Sequence, residues 1–432
     1  MLGRCPVCGE WGTYEEEIVE SGKLRVERSR LVDSKAQRLQ EVQATEEMRL
    51  DMRNGEFNRV LGGGLVPGSL VLLGGEPGIG KSTLALQVLM QLGERKTFYA
   101  SGEESVRQLK LRAERLAGNA ENLYISSETS LERILEQVKD IEPEVVVIDS
   151  IQTIGTEAVD ATIGSISQVR ECAARIMEFA KTRNIPFIII GHINKEGSLA
   201  GPKVLEHIVD TVLQFEGDQQ YMYRILRAQK NRFGSTSELG IYEMRQDGLR
   251  EVTNPSELLL STAREGLSGI AIAAAVEGVR PFLIEVQALV SSAAYGTPQR
   301  SSTGFDGRRL NMLLAVLEKR VGFKLLQKDV FLNIAGGLRV QDPAIDLAVL
   351  AAVLSSNMDI ALDAGTCLCG EVGLAGEIRP VNRIEQRIAE AQKLGFRRIL
   401  IPAEQKTDTK RFTIEVVPVR KVTDAFRLLI KN

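Results

Sequence analysis

From Phe57 to about residue 215 the chain alternates short, nearly unbroken apolar runs with longer mixed stretches. The runs Ser69–Gly74 (SLVLLG), Thr97–Ala100 (TFYA), Leu123–Ile125, Val145–Ile148 (VVVI), Phe187–Ile190 (FIII) and Val212–Phe215 read as strands. Near-continuous apolar strands belong to a sheet covered on both faces, and strands that alternate with helices pair in parallel. Thr83–Leu92 (TLALQVLMQL) predicts one of those helices. The pattern therefore predicts an α/β domain with a mostly parallel sheet and helices on both faces. A further strand pair is expected around Tyr221–Ala228 and Ile241–Met244, and Asn254-Pro255 marks a boundary.

The tail reads as a second folded unit, α+β in character. Gly269–Val276 and Pro281–Ala288 predict paired strands across a Glu-Gly turn. Leu310, Leu313, Leu314, Leu317 and Val321 fall on one face of an amphipathic helix. Asp342-Pro343 supplies an N-cap and a Pro at the first helical position, opening a helix over Ala344–Leu354. A third helix, Ile384–Leu394, leads into a strand at Arg398–Ile401. There is no internal repeat and no low-complexity stretch.

Composition narrows the class. A length of 432 residues fits two or three domains, and 44% apolar residues suffice for packed cores. A net charge of −3 excludes a bulk polyanion binder, so any nucleic-acid contact must be a local patch. No apolar run approaches the roughly 18 residues of a membrane span. The opening MLGRCPVCGE has no secretory apolar core, and five cysteines in so long a chain are no disulfide scaffold. A reducing cytoplasm is the expected compartment. The expected organisation is a cysteine-bearing segment over 1–14, a charged and partly helical linker over 15–50, and domains over 51–255 and 256–432.

The chemistry begins at Gly75. Gly75-Glu76-Pro77-Gly78-Ile79-Gly80-Lys81-Ser82 is a complete G-x-x-x-x-G-K-[ST] phosphate loop, flanked by a predicted strand and a predicted helix starting at Thr83. Its glycines let backbone N–H groups close around phosphate oxygens at a helix N-terminus. Lys81 is placed to reach the β- and γ-phosphates of ATP, and Ser82 to ligand Mg2+. Asp149 ends the VVVI strand and reads as the acid beside the Mg2+ shell, its plainer role being a helix cap. A group that deprotonates the attacking water is also needed. Glu103, after the TFYA strand, is the first candidate and Glu104 the second; the alternative is an acidic first helical turn. His192, after FIII, reads as a γ-phosphate sensor or as a structural histidine. Lys230-Asn231-Arg232-Phe233-Gly234, between two strands, reads equally as a cationic finger for a neighbouring site or as a solvated turn.

Taken together, GGGLVPGSLVLLGGEPGIGKSTL, YASGEES, VVVIDSIQT, LEHIVDTVLQFEG and KNRFG closely resemble the family of bacterial DNA repair proteins called RadA or Sms, over essentially the whole chain. KNRFG and LEHIVD are far more specific than the phosphate loop. The resemblance implies a RecA-like P-loop ATPase core with hexameric-helicase character. It implies a role in homologous recombination, binding of single-stranded and branched DNA, and branch migration alongside the recombinase RecA. In that frame Lys81, Ser82 and Asp149 hold phosphate and Mg2+, Glu103 activates water, and Lys230 and Arg232 act across the subunit interface. The loops after Asp149 and His192 take positions that line the DNA channel of RecA-like rings, so Lys195 and Lys203 become the expected DNA contacts.

The tail resembles the proteolytic domain of Lon, carried by FLIEVQALVSS, the Asp342 helix start and GLAGEIRPVNRIEQRI. Lon-type proteolysis needs a Ser–Lys dyad. Here Ala344 takes the position of the serine, and Glu385-Gln386-Arg387 holds no lysine. The expected role is a non-proteolytic scaffold for ring assembly. RadA-like proteins carry two Cys-x-x-Cys pairs that bind zinc; this chain holds only Cys5 and Cys8, half of the ligand set a structural zinc needs. The expectation is a truncated finger without stable Zn2+. Two other classes stay in view: a slow regulatory ATPase clamp that binds a protein partner, and an ATP-dependent protease.

Overall fold

The computed structural model describes residues 49–116, 118, 120–192, 205–217, 223–260, 266–293 and 298–430. Cys5, Cys8, Lys195, Lys203 and most of the expected linker lie outside the described residues.

The phosphate-loop half is built on one nine-stranded sheet. Its strands are β1 (Leu70–Gly75), β2 (Thr97–Ser101), β3 (Leu123–Ser127), β4 (Val145–Asp149), β5 (Phe187–His192), β6 (Thr211–Glu216), β7 (Tyr223–Asn231), β8 (Leu239–Arg245) and β9 (Gly248–Glu251). They lie in the order β3-β2-β4-β5-β1-β6-β7-β8-β9. The pairs from β3 to β6 are parallel, and β7, β8 and β9 extend the sheet antiparallel. The connecting helices are α1 (Gly55–Leu61), α2 (Lys81–Gln91), α3 (Val106–Arg115), α4 (Leu131–Ile141) and α5 (Ile166–Arg183).

The apolar runs are unbroken because each strand feeds two cores. Val71, Leu73, Tyr99, Val145, Val147, Ile188 and Ile190 point to one face and pack with α2. Leu70, Leu72, Phe98, Val146, Ile148, Phe187 and Ile189 point to the other and pack with α4 and α5. Side chains alternate across a strand, so a two-sided sheet needs an apolar residue at every step. Edge strand β3 is only partly buried, as a strand with one neighbour can be.

The tail carries a seven-stranded sheet, with strands β10 (Ile270–Glu277), β11 (Arg280–Ser292), β12 (Arg300–Thr303), β13 (Lys328–Ile334) and β14 (Thr366–Leu368). A two-stranded ribbon follows, β15 (Glu371–Val372) with β16 (Ile378–Arg379), and then β17 (Arg398–Pro402) and β18 (Glu415–Val419) complete the larger sheet. Its order is β12-β13-β11-β10-β14-β17-β18, mixing parallel and antiparallel pairs. The helix Asp346–Met358 is buried along most of its length against β10 and β11.

Two helix readings need correction. The helix expected through Val321 is α-helical only over Gly307–Val316, then widens into a π-turn at Leu317–Val321. Gly322, at φ +87°, directs its N–H back to the Leu317 carbonyl and closes that wider turn. The helix expected from Ala344 starts as a 3-10 turn, Pro343–Ile345, with Asp342 accepting the Ala344 N–H at 3.1 Å. The α-helix proper begins at Asp346.

The two sheets are tied by buried polar contacts. Arg280, on β11, donates to Glu56 of α1 at 2.6 Å and to the carbonyls of Val252 and Thr253 at 3.0 and 2.7 Å. No helix among the described residues is long and apolar enough to cross a membrane.

Candidate nucleotide-binding and catalytic site

The phosphate loop joins the C-terminal end of central strand β1 to α2. Gly75 is required by close approach: a Cβ there would sit 2.6 Å from the Phe215 carbonyl. Gly80 caps α2 at φ +112°, a left-handed conformation that glycine adopts without strain, and no side chain caps the helix. The first-turn N–H groups, including those of Ser82 and Thr83, are thus left without a capping side chain at the positive end of the helix dipole, the arrangement that receives phosphate.

Lys81 is buried and folded back over the loop. Its Nζ donates to the Gly75 and Glu76 carbonyls at 2.8 and 2.9 Å and reaches His192 Nδ1 at 3.2 Å. An ammonium has three protons and no lone pair, so Nδ1 acts as the acceptor and Nε2 carries the imidazole proton, a tautomer assigned from its partners. Burial pulls the Lys81 amine down to about 8, although Asp149 and Glu103 pull it upward.

His192 is the last residue of β5, which runs two residues beyond the apolar run Phe187–Ile190. Its Nε2 lies 3.2 Å from Glu103 Oε1, the same oxygen that accepts the Ser150 hydroxyl at 2.6 Å. For Glu103, burial pushes the carboxyl upward, but the hydrogen bonds from Ser150 and His192 and the charge of Lys81 outweigh it. The net shift is downward. Glu103 and Glu104 precede α3 rather than forming its first turn, which Ser105 caps. Their N–H groups donate to Ser101 Oγ at 3.2 and 2.9 Å, and this bend separates the two carboxylates. Glu103 faces His192, whereas Glu104 pairs with Arg112.

Asp149 ends β4 and is almost fully buried. Its Oδ2 accepts the Tyr99 hydroxyl at 2.5 Å, and its Oδ1 is buried with no partner among the described residues. Burial and the neighbouring Asp149 charge hold the Tyr99 phenol well above its ordinary range. A lone buried carboxylate oxygen close enough to influence Lys81 suits a cation or its water. Ser82, in the first turn of α2, and Asp149 are the residues that would hold one.

Lys230 and Arg232 gather elsewhere. Lys230 and Asn231 belong to β7 rather than to a free connecting loop, and Lys230 sits beside a register shift in the β6–β7 pairing. Such bulges re-aim side chains. Lys230 Nζ donates to the Glu206 and Val209 carbonyls at 2.5 and 2.8 Å. Burial and the Arg232 charge lower its amine, against the pull of Asp210 and Glu206. Arg232 reaches Asp210 at 3.4 Å. Asp210 is buried and also meets Lys181 at 3.4 Å and the Leu70 N–H at 3.2 Å. Asn231 donates to the Val60 and Leu61 carbonyls at 3.3 and 3.2 Å, and Arg49 donates to the Phe233 carbonyl at 2.5 Å, so this segment is anchored on α1.

Sequence reasoning missed Tyr99 and Asp210. Tyr99 looks like any core aromatic, and only the pairing of β2 beside β4 brings its hydroxyl to Asp149. Asp210 lies within LEHIVD, a segment whose pattern by itself assigns its acid no role. In the tail, Ala344 is buried, and Asp342 binds Arg387 at 2.5 Å and the Val276 N–H at 2.8 Å.

This fold and site define a P-loop ATPase with a RecA-like core and a Lon-like C-terminal region. Family profiles match residues 35–198 (AAA domain) and 305–405 (Subunit ChlI of Mg-chelatase). The DNA repair protein RadA of Bacillus subtilis is 50% identical over 99% of this chain and 94% of its own length. That of Listeria monocytogenes is 50% identical over the same shares, and that of Halalkalibacterium halodurans 47% identical over 99% and 95%. The KaiC-like protein PH0186 of Pyrococcus horikoshii has a solved structure that covers 47% of this chain and 98% of its own, at 21% identity and a TM-score of 0.40. The chain belongs to the family of the bacterial DNA repair protein RadA.

Proposed function

We propose that this protein is an ATP-driven DNA motor of repair and homologous recombination. It binds single-stranded and branched DNA and promotes branch migration with the recombinase RecA, working as a hexameric ring in the reducing cytoplasm. The observation that carries this reading is the contact chain Lys81–His192–Glu103–Ser150. It links the phosphate loop to the ends of β5, β2 and β4. His192 is the residue before the segment 193–204, in which Lys195 and Lys203 are the proposed DNA contacts. Phosphate binding would draw the Lys81 amine from the loop carbonyls and free the His192 nitrogen. His192 then reports nucleotide state to that segment as a γ-phosphate sensor.

The chemistry follows from the same groups. Glu103, held ionised, takes a proton from the water that attacks the γ-phosphorus, while Lys81 offsets charge on the transferred oxygens. Ser82 and Asp149 would hold magnesium, which would supply charge neutralisation to the phosphates of ATP. Lys230 and Arg232 complete a neighbouring subunit's site. In this proposal residues 51–255 form the motor and 256–432 a non-proteolytic scaffold, consistent with alanine at 344 and an arginine-aspartate pair beside it.

The test is ATP hydrolysis by the purified protein with and without single-stranded DNA at two salt concentrations. A motor shows stimulation that fades as salt rises. Hydrolysis indifferent to DNA would replace the motor with a clamp regulated by a protein partner, and casein degradation would restore the protease.

A further inference from the structure

We infer that Tyr99 is the positioning residue of the Asp149 carboxylate: its hydroxyl holds Oδ2, so that Oδ1 is the oxygen presented to the hydrated Mg2+ of bound Mg·ATP. The inference rests on the ATPase reading of the site. Three observations carry it. Tyr99 is fully buried on β2, next to β4, and its hydroxyl donates to Asp149 Oδ2 at 2.5 Å. Asp149 Oδ1 is buried and has no partner among the described residues. The backbone at Asp149 is already fixed, because its carbonyl accepts the Gly102 N–H at 2.8 Å as well as sitting in the sheet.

The physical consequence concerns one rotation. A carboxylate on a fixed backbone still turns about its last torsion, which is broad and nearly two-fold. Without a donor on one side, both oxygens compete for a metal-bound water. The Tyr99 hydroxyl removes that freedom, since a phenol facing a carboxylate can only donate. A core role alone needs no hydroxyl, as Phe98 on the opposite face of β2 illustrates. A buried carboxylate oxygen left dry is unfavourable, so the vacant lone pairs of Oδ1 favour a cation or its water.

The experiment is equilibrium binding of a fluorescent ATP analogue to the full chain, with Mg2+ titrated in from an EDTA baseline. Tyr99→Phe keeps the ring and removes the donor. The Mg2+ midpoint is expected to rise about tenfold or more, on the order of one charge-assisted hydrogen bond. Affinity in EDTA is expected to stay within about twofold, because Lys81 and the loop amides are untouched. An unchanged midpoint overturns the inference, and so does an equal loss with and without Mg2+, which would mark a general loss of structure. Asp149→Asn removes the carboxylate itself, and adding Y99F to it should change the midpoint no further. A further loss in that background also overturns the inference, and this pair remains informative if Y99F alone folds poorly. Wild-type binding that ignores Mg2+ would sink the Mg·ATP reading of the site, and the Tyr99 assignment with it.

Discussion

Lys81 Nζ and His192 Nδ1 lie 3.2 Å apart, joining the phosphate loop to the end of β5. With the Gly75 and Glu76 carbonyls, this contact uses all three ammonium protons on the protein itself. The nucleotide must therefore compete for a lysine that is already satisfied.

That competition has a pH dependence. Burial brings the Lys81 amine to about 8, below its ordinary 10.5. Phosphate favours the charged form, so the bound state holds its proton to higher pH. Below about 8 the free and bound proteins are both protonated and affinity is flat. Above it, binding must take up a proton, and ATP affinity should fall by up to about tenfold per pH unit. Calorimetry in buffers of differing ionisation enthalpy should detect the proton uptake. For folding the direction differs: between about 8 and 10.5 the unfolded chain binds the extra proton, so this group's contribution to stability rises with pH.

Glu103→Gln should separate binding from turnover. The amide keeps the volume and still accepts from Ser150 and His192, but cannot take a proton from water. Hydrolysis should fall by about 10²–10⁴-fold with ATP affinity nearly unchanged. Comparable losses in kcat for Glu104→Gln would move the role to its neighbour.

Lys230→Ala and Arg232→Ala should abolish DNA-stimulated turnover and branch migration while nucleotide binding by the Lys81 loop persists. Lys230 also holds the Glu206 and Val209 carbonyls, so its variant should lower the melting temperature more than the Arg232 variant does. Normal branch migration by both would remove the proposed finger.

Arg280→Ala strips Glu56 of its buried cationic partner. Both side chains are nearly inaccessible, at 8% and 1% exposure. Breaking such a pair from one side costs about 3–5 kcal/mol, which urea unfolding would read. A loss near zero would mean that the contact between the two sheets is not held by this pair.

Much of this was open to reading because it is local. The phosphate loop is eight consecutive residues whose function lies in their own backbone, and strands β1, β2, β4 and β5 announce themselves by apolar runs that face two cores. The helix through Leu310 and Leu314 is legible by its period and the next by its Asp342-Pro343 cap, which the structure keeps. What the chain leaves open is the kind of turn at their ends, a π-turn closed by Gly322 and a 3-10 turn over Pro343–Ile345. Glu103 could be preferred to Glu104 only as a guess in the chain, since both follow the same strand. The Ser101 bend and the neighbouring β4 and β5 ends turn one toward His192 and the other toward Arg112.

The sequence by itself determined the class of chemistry and the two-sided sheet, because a glycine-rich loop and an apolar period act over a few neighbouring residues. Only the tertiary structure decided which groups meet: Lys81 with His192, Glu103 with Ser150, Tyr99 with Asp149, Arg280 with Glu56. These pairs are separated by 47 to 224 positions along the chain. Strand order brings the first three pairs within reach at the ends of β1, β2, β4 and β5, and packing of α1 against the second sheet brings Arg280 to Glu56. Both are set by how the faces of the sheets are buried, which no local stretch of residues encodes.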